Sequence, residues 1–575
     1  MDIQYVKHKE SNVVKTLENS DCLKVTNLQN YIPLYTEFFK LSENNFNSIN
    51  LNHKYSIVKF LEKTSYNKVS CIVKNNDNGV EERTEIFIKY SPLIDPVKYM
   101  VGKYKNYTSE LFNLPKFNSQ HVCSKTDSSN NSAYIDSFFS FLTNNLLVNY
   151  NFSNGTKFYG SFLANKNEFR VNIFDDIEYL DESKFFNANK GKLFKIDDTF
   201  YDELFHSDSR DNKKQINIGE NVQLDNLDAM DNSLIDSIFE SPTHENIRIL
   251  DISNALVYDC PLITTPTKSS KSSSCSSRSS NTSNEKSNES DFEEEENIEE
   301  NSDSDDSQSC SESLTSSQEE ESIYAYINNF PVDIICLESC HDTLDHYMLN
   351  NDVDTEEWEA LLFQVIMTLI TYQKVFAFTH NDLHTNNIMF TKTEKKYLIY
   401  HYNKTYYKVK TFGKIWKIID FGRAIYKYQG QILCSDSFHP SGDAATQYNC
   451  EPYFNDKKPR LDPNYSFDLC RLGCALFDYF IEDHEEIYNP EELDDIQKLI
   501  AEWCQDDNKK NVLYKKSGEE RYPEFKLYKM ISRLCHDHTP QEQLKRKMFS
   551  QFKVARKSLN KKAKIVNIDQ MSYMG

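Results

Sequence analysis

Short runs with a two-residue period come first along this chain, and longer runs with a helical period come later. Tyr55–Phe60, Lys68–Lys74 and Thr84–Tyr90 alternate or carry β-branched and aromatic residues, and turn-formers separate them, which predicts three strands. Ala133–Leu147 then places Phe138, Phe139, Leu142, Leu146 and Leu147 on one helical face. Phe158–Leu163 and Phe169–Phe174 read as two further strands, and Val332–Leu337 as a buried one. Trp358–Phe378 has long helical periodicity, Tyr397–Lys410 is strand-rich, 465–480 is an apolar helix, and a helical pattern continues to about 555.

Between these blocks the pattern fails. Residues from about 180 to 264 are polar, with apolar islands such as Ile247–Tyr258, and from 265 to 322 the composition collapses to Ser, Asn, Glu and Asp. Tracts such as Ser269–Ser280 and Glu293–Glu296 cannot bury enough apolar area to offset chain entropy, so 265–322 is expected to be a disordered insert. The expected organisation is an N-terminal extension (1–50), a strand-rich part (51–180), an insertion (181–322), a helix-rich part (323–555) and a basic tail (556–575). Strands first and helices later make an α+β chain.

Charge sharpens this division. The net charge is −23, yet 265–322 alone carries 16 acidic and 4 basic residues, so more than half of the imbalance belongs to the insert. The rest has ordinary charge, which argues against direct nucleic-acid or membrane binding; the acidic tract suits a basic partner. The 14 cysteines are scattered, many in apolar runs (Cys336, Cys470, Cys474), as expected of reduced, buried thiols. Met1–Gln4 opens no apolar leader, and no apolar run reaches the length of a membrane span. The expectation is a cytoplasmic protein, neither secreted nor membrane-spanning.

Two segments carry the chemistry. His380-Asn381-Asp382-Leu383-His384-Thr385-Asn386-Asn387 supplies an Asp with an Asn five residues on, and Ile418-Ile419-Asp420-Phe421-Gly422 a second Asp after an apolar strand. Phosphoryl transfer from ATP needs that set: Asp382 to orient the attacking hydroxyl, Asn387 and Asp420 to hold Mg²⁺, and Gly422 to turn the chain past the metal. Lys89 ends the run Ile86-Phe87-Ile88, from which it can reach ATP phosphates; Asp136, on the following helix, is its candidate partner in place of the usual Glu. No glycine occurs in Leu61–Asn67, between the first two strands, so backbone approach to phosphates is restricted there. Cys336-x3-Cys340, Cys470-x3-Cys474 and Cys535-His536-Asp537-His538 are poor metal motifs.

With these residues the chain resembles the eukaryotic-type protein kinase superfamily, above all serine/threonine kinases of giant DNA viruses and the haspin-like atypical group. The residues carrying the resemblance are 380–387, Asp420-Phe421-Gly422 and Tyr465–Gly473, over a coverage of about 51–175 and 323–550. It implies a bilobal protein kinase-like fold, with an antiparallel β small lobe, a mostly helical large lobe and the acidic insert in the small lobe. It also implies ATP- and Mg²⁺-dependent phosphorylation of protein Ser or Thr, in host cytoplasm or virion if the source is viral. Leu337 would be the gatekeeper, and the Glu338 carbonyl and Cys340 amide would read adenine. Asp468 would anchor the catalytic-loop backbone, with His380, Phe421 and Gly422 structural. Asn381 stands where many of these kinases have Arg, which implies no phosphorylated-loop switch. His384 replaces the common Lys; an imidazole with an ordinary pKa near ~6.5 could donate a hydrogen bond or titrate there. No Ala-Pro-Glu closes 420–468. Two other readings stand beside this one: a small-molecule kinase of the aminoglycoside or choline type, which shares the His-x-Asp motif, and a pseudokinase scaffold presenting the acidic tract.

Overall fold

A computed structural model describes residues 6–7, 17–51, 54–104, 110–118, 123–197 and 323–575. The Ile247–Tyr258 island, the 265–322 tract and most of the expected insertion lie outside the described residues. What is described is mixed α+β, with antiparallel sheets.

The principal sheet comprises β1 (Val25–Gln29), β2 (Tyr55–Lys63), β3 (Lys68–Asn75), β4 (Glu81–Pro92), β5 (Phe158–Lys166) and, after three short strands, β9 (Phe330–Glu338). The short strands are β6 (Phe169–Asn172), β7 (Phe194–Ile196) and β8 (Tyr324–Ile327), which form a small sheet of their own in the order β6-β8-β7. The principal sheet is antiparallel throughout, in the order β1-β5-β9-β4-β3-β2. Alternation decides its faces. Ile86 and Ile88 of β4 are fully buried on one face, and Lys89 lies on the other, opposite Ile335 of β9.

Helix α1 (Ser132–Tyr150) covers that second face, capped by Asn131, whose side chain accepts from the Ala133 N–H. A polar seam joins helix to sheet: the Ser137 hydroxyl donates to Ser161 (2.8 Å), and the Ser161 hydroxyl donates to Asp333 (2.7 Å). Burial pushes the Asp333 carboxyl up to about 8, against the Ser161 hydroxyl bonded to it.

After β9 the chain becomes more helical. Helix α2 (Leu344–Asn350) is followed by α3 (Thr355–Phe376), which starts at an Asp354 cap and stops where Ala377 turns left-handed (φ 49°). Nearly all of α3 is buried, so it is the axis around which the later elements pack. The strand-rich stretch resolves into β10 (Ile388–Lys392), the hairpin β11 (Tyr397–Tyr402) and β12 (Thr405–Lys410), and β13 (Lys414–Ile418), which pairs with β10. Helices α4 (Phe467–Phe480), α5 (Asp495–Trp503) and α6 (Phe525–Leu534) complete the helical part.

Both ends of the described chain pair with strands of the sheets. Strand β1 pairs with β5, and Tyr31, Ile32, Leu34 and Tyr35 are buried. Its pairing is irregular between Thr26 and Gln29, with Asn27 at φ 59°, and that hides it from a two-residue period. At the other end Val566–Asn567 adds in parallel to β11, and Asp569 accepts from the N–H groups of Asn403 (2.8 Å) and Lys404 (2.9 Å) in the β11–β12 turn.

Candidate active site

The loop after α3 is fixed from below by α4. Asp468, in the first turn of α4 and fully buried, accepts from the backbone N–H groups of His380 and Asn381, both at 2.9 Å. His380 faces a carbonyl acceptor at Ile419 (Nε2 to O, 2.9 Å) and an amide donor at Asp382 (3.3 Å), which assigns the proton to Nε2 and leaves Nδ1 as acceptor. Its ring packs against Phe421. Asn381 is buried with φ 65°; its amide donates to the carbonyls of Thr379 and Arg423, and its oxygen accepts from the Tyr448 hydroxyl (2.8 Å). Asn381 is thus a packed tie between three loops.

Asp382 is 6% exposed and presents both oxygens to partners. The Tyr528 hydroxyl donates to Oδ1 (2.8 Å), and Arg423 Nε lies 3.9 Å from Oδ2. Burial works to raise the Asp382 pKa, but Arg423, His384 and Arg471 outweigh it and hold the carboxyl below its ordinary value. Arg423 is held in turn by Asp443 (2.7 Å).

Five residues on, the Asn387 side-chain N–H donates to the Asp382 carbonyl (2.9 Å) and lies 3.1 Å from His384 Nε2. That arrangement makes His384 an acceptor at Nε2. Burial pushes its pKa down to about 4, against the nearby Asp382, so near neutral pH it neither carries charge nor titrates as an ordinary imidazole would. Its Nδ1 is buried and has no hydrogen-bond partner among the described residues.

Lys89 bridges two carboxylates: Asp136 at 2.6 Å and Asp420 at 2.7 Å. Burial works against its charge, and the two carboxylates reverse that, raising the ammonium above the usual lysine range. Asp136 also accepts from the Phe421 N–H (2.9 Å), so one side chain of α1 fixes both the lysine and the segment after β13. Phe421 is buried, 4.7 Å from the Phe139 ring. Desolvation works upward on the half-exposed Asp420 side chain, and Lys89 outweighs it and holds the carboxyl at about 2. The turn is made by Asp420 itself, at φ 63°, and not by Gly422 as the sequence suggested; a Cβ on Gly422 would meet only Asp420 Oδ1, at 3.4 Å.

The residues expected around adenine lie at the end of β9. Leu337 and Glu338 pair with Phe87 and Ile86 of β4. The Glu338 carboxylate is committed to Lys417 (2.6 Å) and to the Lys157 N–H (2.9 Å). Cys340 is buried, and no hydrogen bond engages its N–H among the described residues. At the glycine-free turn, the N–H groups of Thr64 and Ser65 both donate to the Lys68 carbonyl, and the Asn67 carbonyl accepts from the Ile88 N–H. Those two amides are used inside the hairpin and are not presented outward.

Two arrangements bear on a bound cation. Among the described residues no group of three or more His, Cys, Asp or Glu side chains converges as a metal site. Asn387 and Asp420 each offer one oxygen donor of a kind a cation could use, an amide oxygen and a carboxylate. Asn387 spends its N–H groups inside the loop, and Asp420 is ionised with its side chain 45% exposed. Hard oxygen donors of that type, completed by phosphate and water, suit Mg²⁺.

Arg423, Tyr448 and Tyr528 escaped the sequence reading, and Arg471 entered it only as part of the Tyr465–Gly473 segment, without a role. Arg423 follows Asp420-Phe421-Gly422 directly and could have been noticed as the nearest cation. Tyr448 and Tyr528 come from loops and helices far along the chain and carry no local signal.

No family model matches the chain. Two similar stretches are known: 42% identity over 62 residues to a protein named as a probable serine/threonine-protein kinase in Dictyostelium discoideum, and 39% over 70 residues to a provisionally named serine/threonine-protein kinase of Acanthamoeba polyphaga mimivirus. They cover 10% and 12% of this chain and only 5% and 15% of those proteins. The comparisons support a kinase-like relationship over a short stretch.

Proposed function

We propose that this chain has a bilobal protein kinase-like fold and transfers the γ-phosphoryl group of ATP to serine or threonine hydroxyls of protein substrates. The observation that carries the reading is the bridge from Lys89 to Asp136 and Asp420, beside a loop that holds Asp382 and Asn387. In this reading the principal sheet and α1 make the small lobe, and α2 onwards the large one.

Each residue then has a task. The Asp382 carboxylate orients the acceptor hydroxyl and takes its proton as the acceptor oxygen bonds to phosphorus and the bridging oxygen leaves with ADP. Lys89 steadies the phosphates, and Asp136 keeps it charged and in place. The Cys340 N–H and the Glu338 carbonyl address adenine beside Leu337. Asn387 Oδ1 and the Asp420 carboxylate would hold Mg²⁺, which supplies neutralisation of phosphate charge. His384 acts in this scheme as a neutral loop residue that accepts from Asn387, and not as a cation. His380, Phe421 and Asp468 keep the loop and the segment after β13 in place.

Incubation of the purified chain with γ-labelled ATP, Mg²⁺ and a mixture of protein substrates tests this. Label should enter protein Ser and Thr with the wild type and fall at least about 100-fold with Asp382→Ala. Label entering an aminoglycoside or choline but no protein would redirect the reading to small-molecule phosphotransfer. Equal incorporation by wild type and Asp382→Ala would overturn it.

A further inference from the structure

Helix α6 reaches the candidate active site from 146 residues away, and its contribution there is a single tyrosine. Tyr528 Oη accepts from Arg471 Nε (3.0 Å) and donates to Asp382 Oδ1 (2.8 Å). The ring is seated by a stack on Phe525 (5.5 Å between centroids) and by the guanidinium carbons of Arg471 and Arg423, 5.1 and 5.8 Å from its centroid. Glu524, immediately before α6, adopts φ 52° and ψ −133°, a backbone conformation L side chains rarely adopt, and the helix departs from that point.

The geometry matters because a single carboxylate, Asp382, faces the Tyr528 hydroxyl on one oxygen and the Arg423 guanidinium on the other. Arg423 Nε stands 3.9 Å from Oδ2, beyond a good hydrogen bond. A free aspartate would rotate to close that gap, and an oxygen locked onto a guanidinium is a poor receiver for an acceptor's proton. The Tyr528 hydroxyl holds Oδ1 and stops the rotation. Arg471 sits on α4, the helix whose Asp468 fixes the loop backbone, so α4 sets both the main chain and the side chain of this loop.

We propose that Tyr528 is a positioning residue for Asp382: its hydroxyl, oriented by Arg471, keeps the carboxylate from collapsing onto Arg423 and leaves Oδ2 directed to the acceptor. The proposal rests on the phosphotransfer reading above and adds to it a residue that touches neither ATP nor the acceptor. Burial pushes the Tyr528 phenol up to about 12, so it stays a donor throughout the neutral range.

The test is steady-state kinetics on four full-length proteins: wild type, Tyr528→Phe, Asp382→Ala and the double variant. Tyr528→Phe removes one oxygen and leaves the ring stack in place. Its kcat should fall about 10-fold, the equivalent of one hydrogen bond to a charged group, with KM for ATP within twofold of wild type. In the Asp382→Ala background the same change should leave the residual rate unaltered. A merely structural role for Tyr528 would lower both backgrounds alike or shift KM as well, and either outcome overturns the proposal. So does a Tyr528→Phe enzyme with wild-type kcat. A wild type that transfers no phosphate beyond Asp382→Ala overturns the phosphotransfer reading and this inference together, whereas an active wild type with an indifferent Tyr528→Phe overturns only the inference.

Discussion

Asp436 holds the N-terminus of α1 against the segment that follows β13: its Oδ1 accepts from the Ser132 N–H at 3.0 Å while its Oδ2 meets Lys125 Nζ at 2.9 Å. The Asp436 N–H also donates to the Asn130 carbonyl (2.7 Å). A carboxylate at the first turn of a helix answers the unsatisfied amides and the helix dipole together. The helix it steadies carries Asp136, so the clamp acts at one remove on Lys89. Asp436→Ala should destabilise the fold by about 1.5–3 kcal/mol, from a lost charge-assisted hydrogen bond and an unpaired lysine. Asp436→Asn, which keeps an acceptor for Ser132, should cost less. Urea denaturation of both variants checks the order; equal stabilities for wild type and Asp436→Ala would remove the clamp from the account.

The packing around Asp136 leaves no room for a longer acid. Asp136 is 2% exposed and already satisfies Lys89 and the Phe421 N–H at 2.6 and 2.9 Å. An added methylene there must displace α1 or leave its rotamer. Asp136→Glu should therefore lose about 1–3 kcal/mol of stability although the charge is conserved. If the longer acid is instead neutral in a denaturant titration, the packing around α1 is looser than these distances imply.

How far the sequence could be read follows from the range of each interaction. Lys89, Asp136, Asp382, Asn387 and Asp420 stand in local patterns, at a strand end, a helix turn or a short motif, and the fold brings Lys89 against Asp136 and Asp420. The residues that restrain them do not stand in patterns. Tyr448 reaches Asn381 across 67 residues, and Tyr528 reaches Asp382 across 146. The turn falls two residues before Gly422, because composition names the residue able to take a left-handed turn, whereas Asp420 is the one that takes it. The His384 pKa was beyond reach for another reason: burial sets it, and burial is a property of the assembled fold.

Asp333 makes stability fall with rising pH. It is fully buried in β9, and among the described residues its Oδ2 has no hydrogen-bond partner. Its folded-state pKa, near 8, lies above the unfolded value, so the folded chain binds the proton more tightly. Stability is therefore complete below about pH 4 and declines through the window up to about pH 8, as the unfolded chain releases a proton that the fold retains. Asp333→Asn keeps an acceptor for Ser161 and removes the titration. It should flatten the decline and stabilise the protein on the order of 2–4 kcal/mol at pH 7. Denaturation at pH 5 and pH 7.5 for both proteins is the measurement; a variant no more stable than wild type at the higher pH would show that Asp333 ionises without penalty.

The last ten residues hold together parts of the chain that lie far apart in sequence. Val566 pairs beside Tyr400, Asp569 caps the β11–β12 turn, the Lys374 ammonium donates to the Ile568 carbonyl, and Met574 donates to Val375 while accepting from Gln429. Ile568 and Met571 are at most 1% exposed. Each buried apolar side chain of this size contributes roughly 1.5–3 kcal/mol, and ordering the segment offsets part of that. Removal of residues 566–575 should thus destabilise the fold by about 2–4 kcal/mol and lower the midpoint of thermal unfolding by several degrees. Lys374 and Val375 lie in the last turn of α3, next to the turn at Ala377 that leads into the His380–Asn387 loop, so any activity that depends on that loop should fall at a lower temperature in the truncated protein than in the full chain. A truncated protein with an unchanged melting curve would mean that this segment rests on the surface without supporting it.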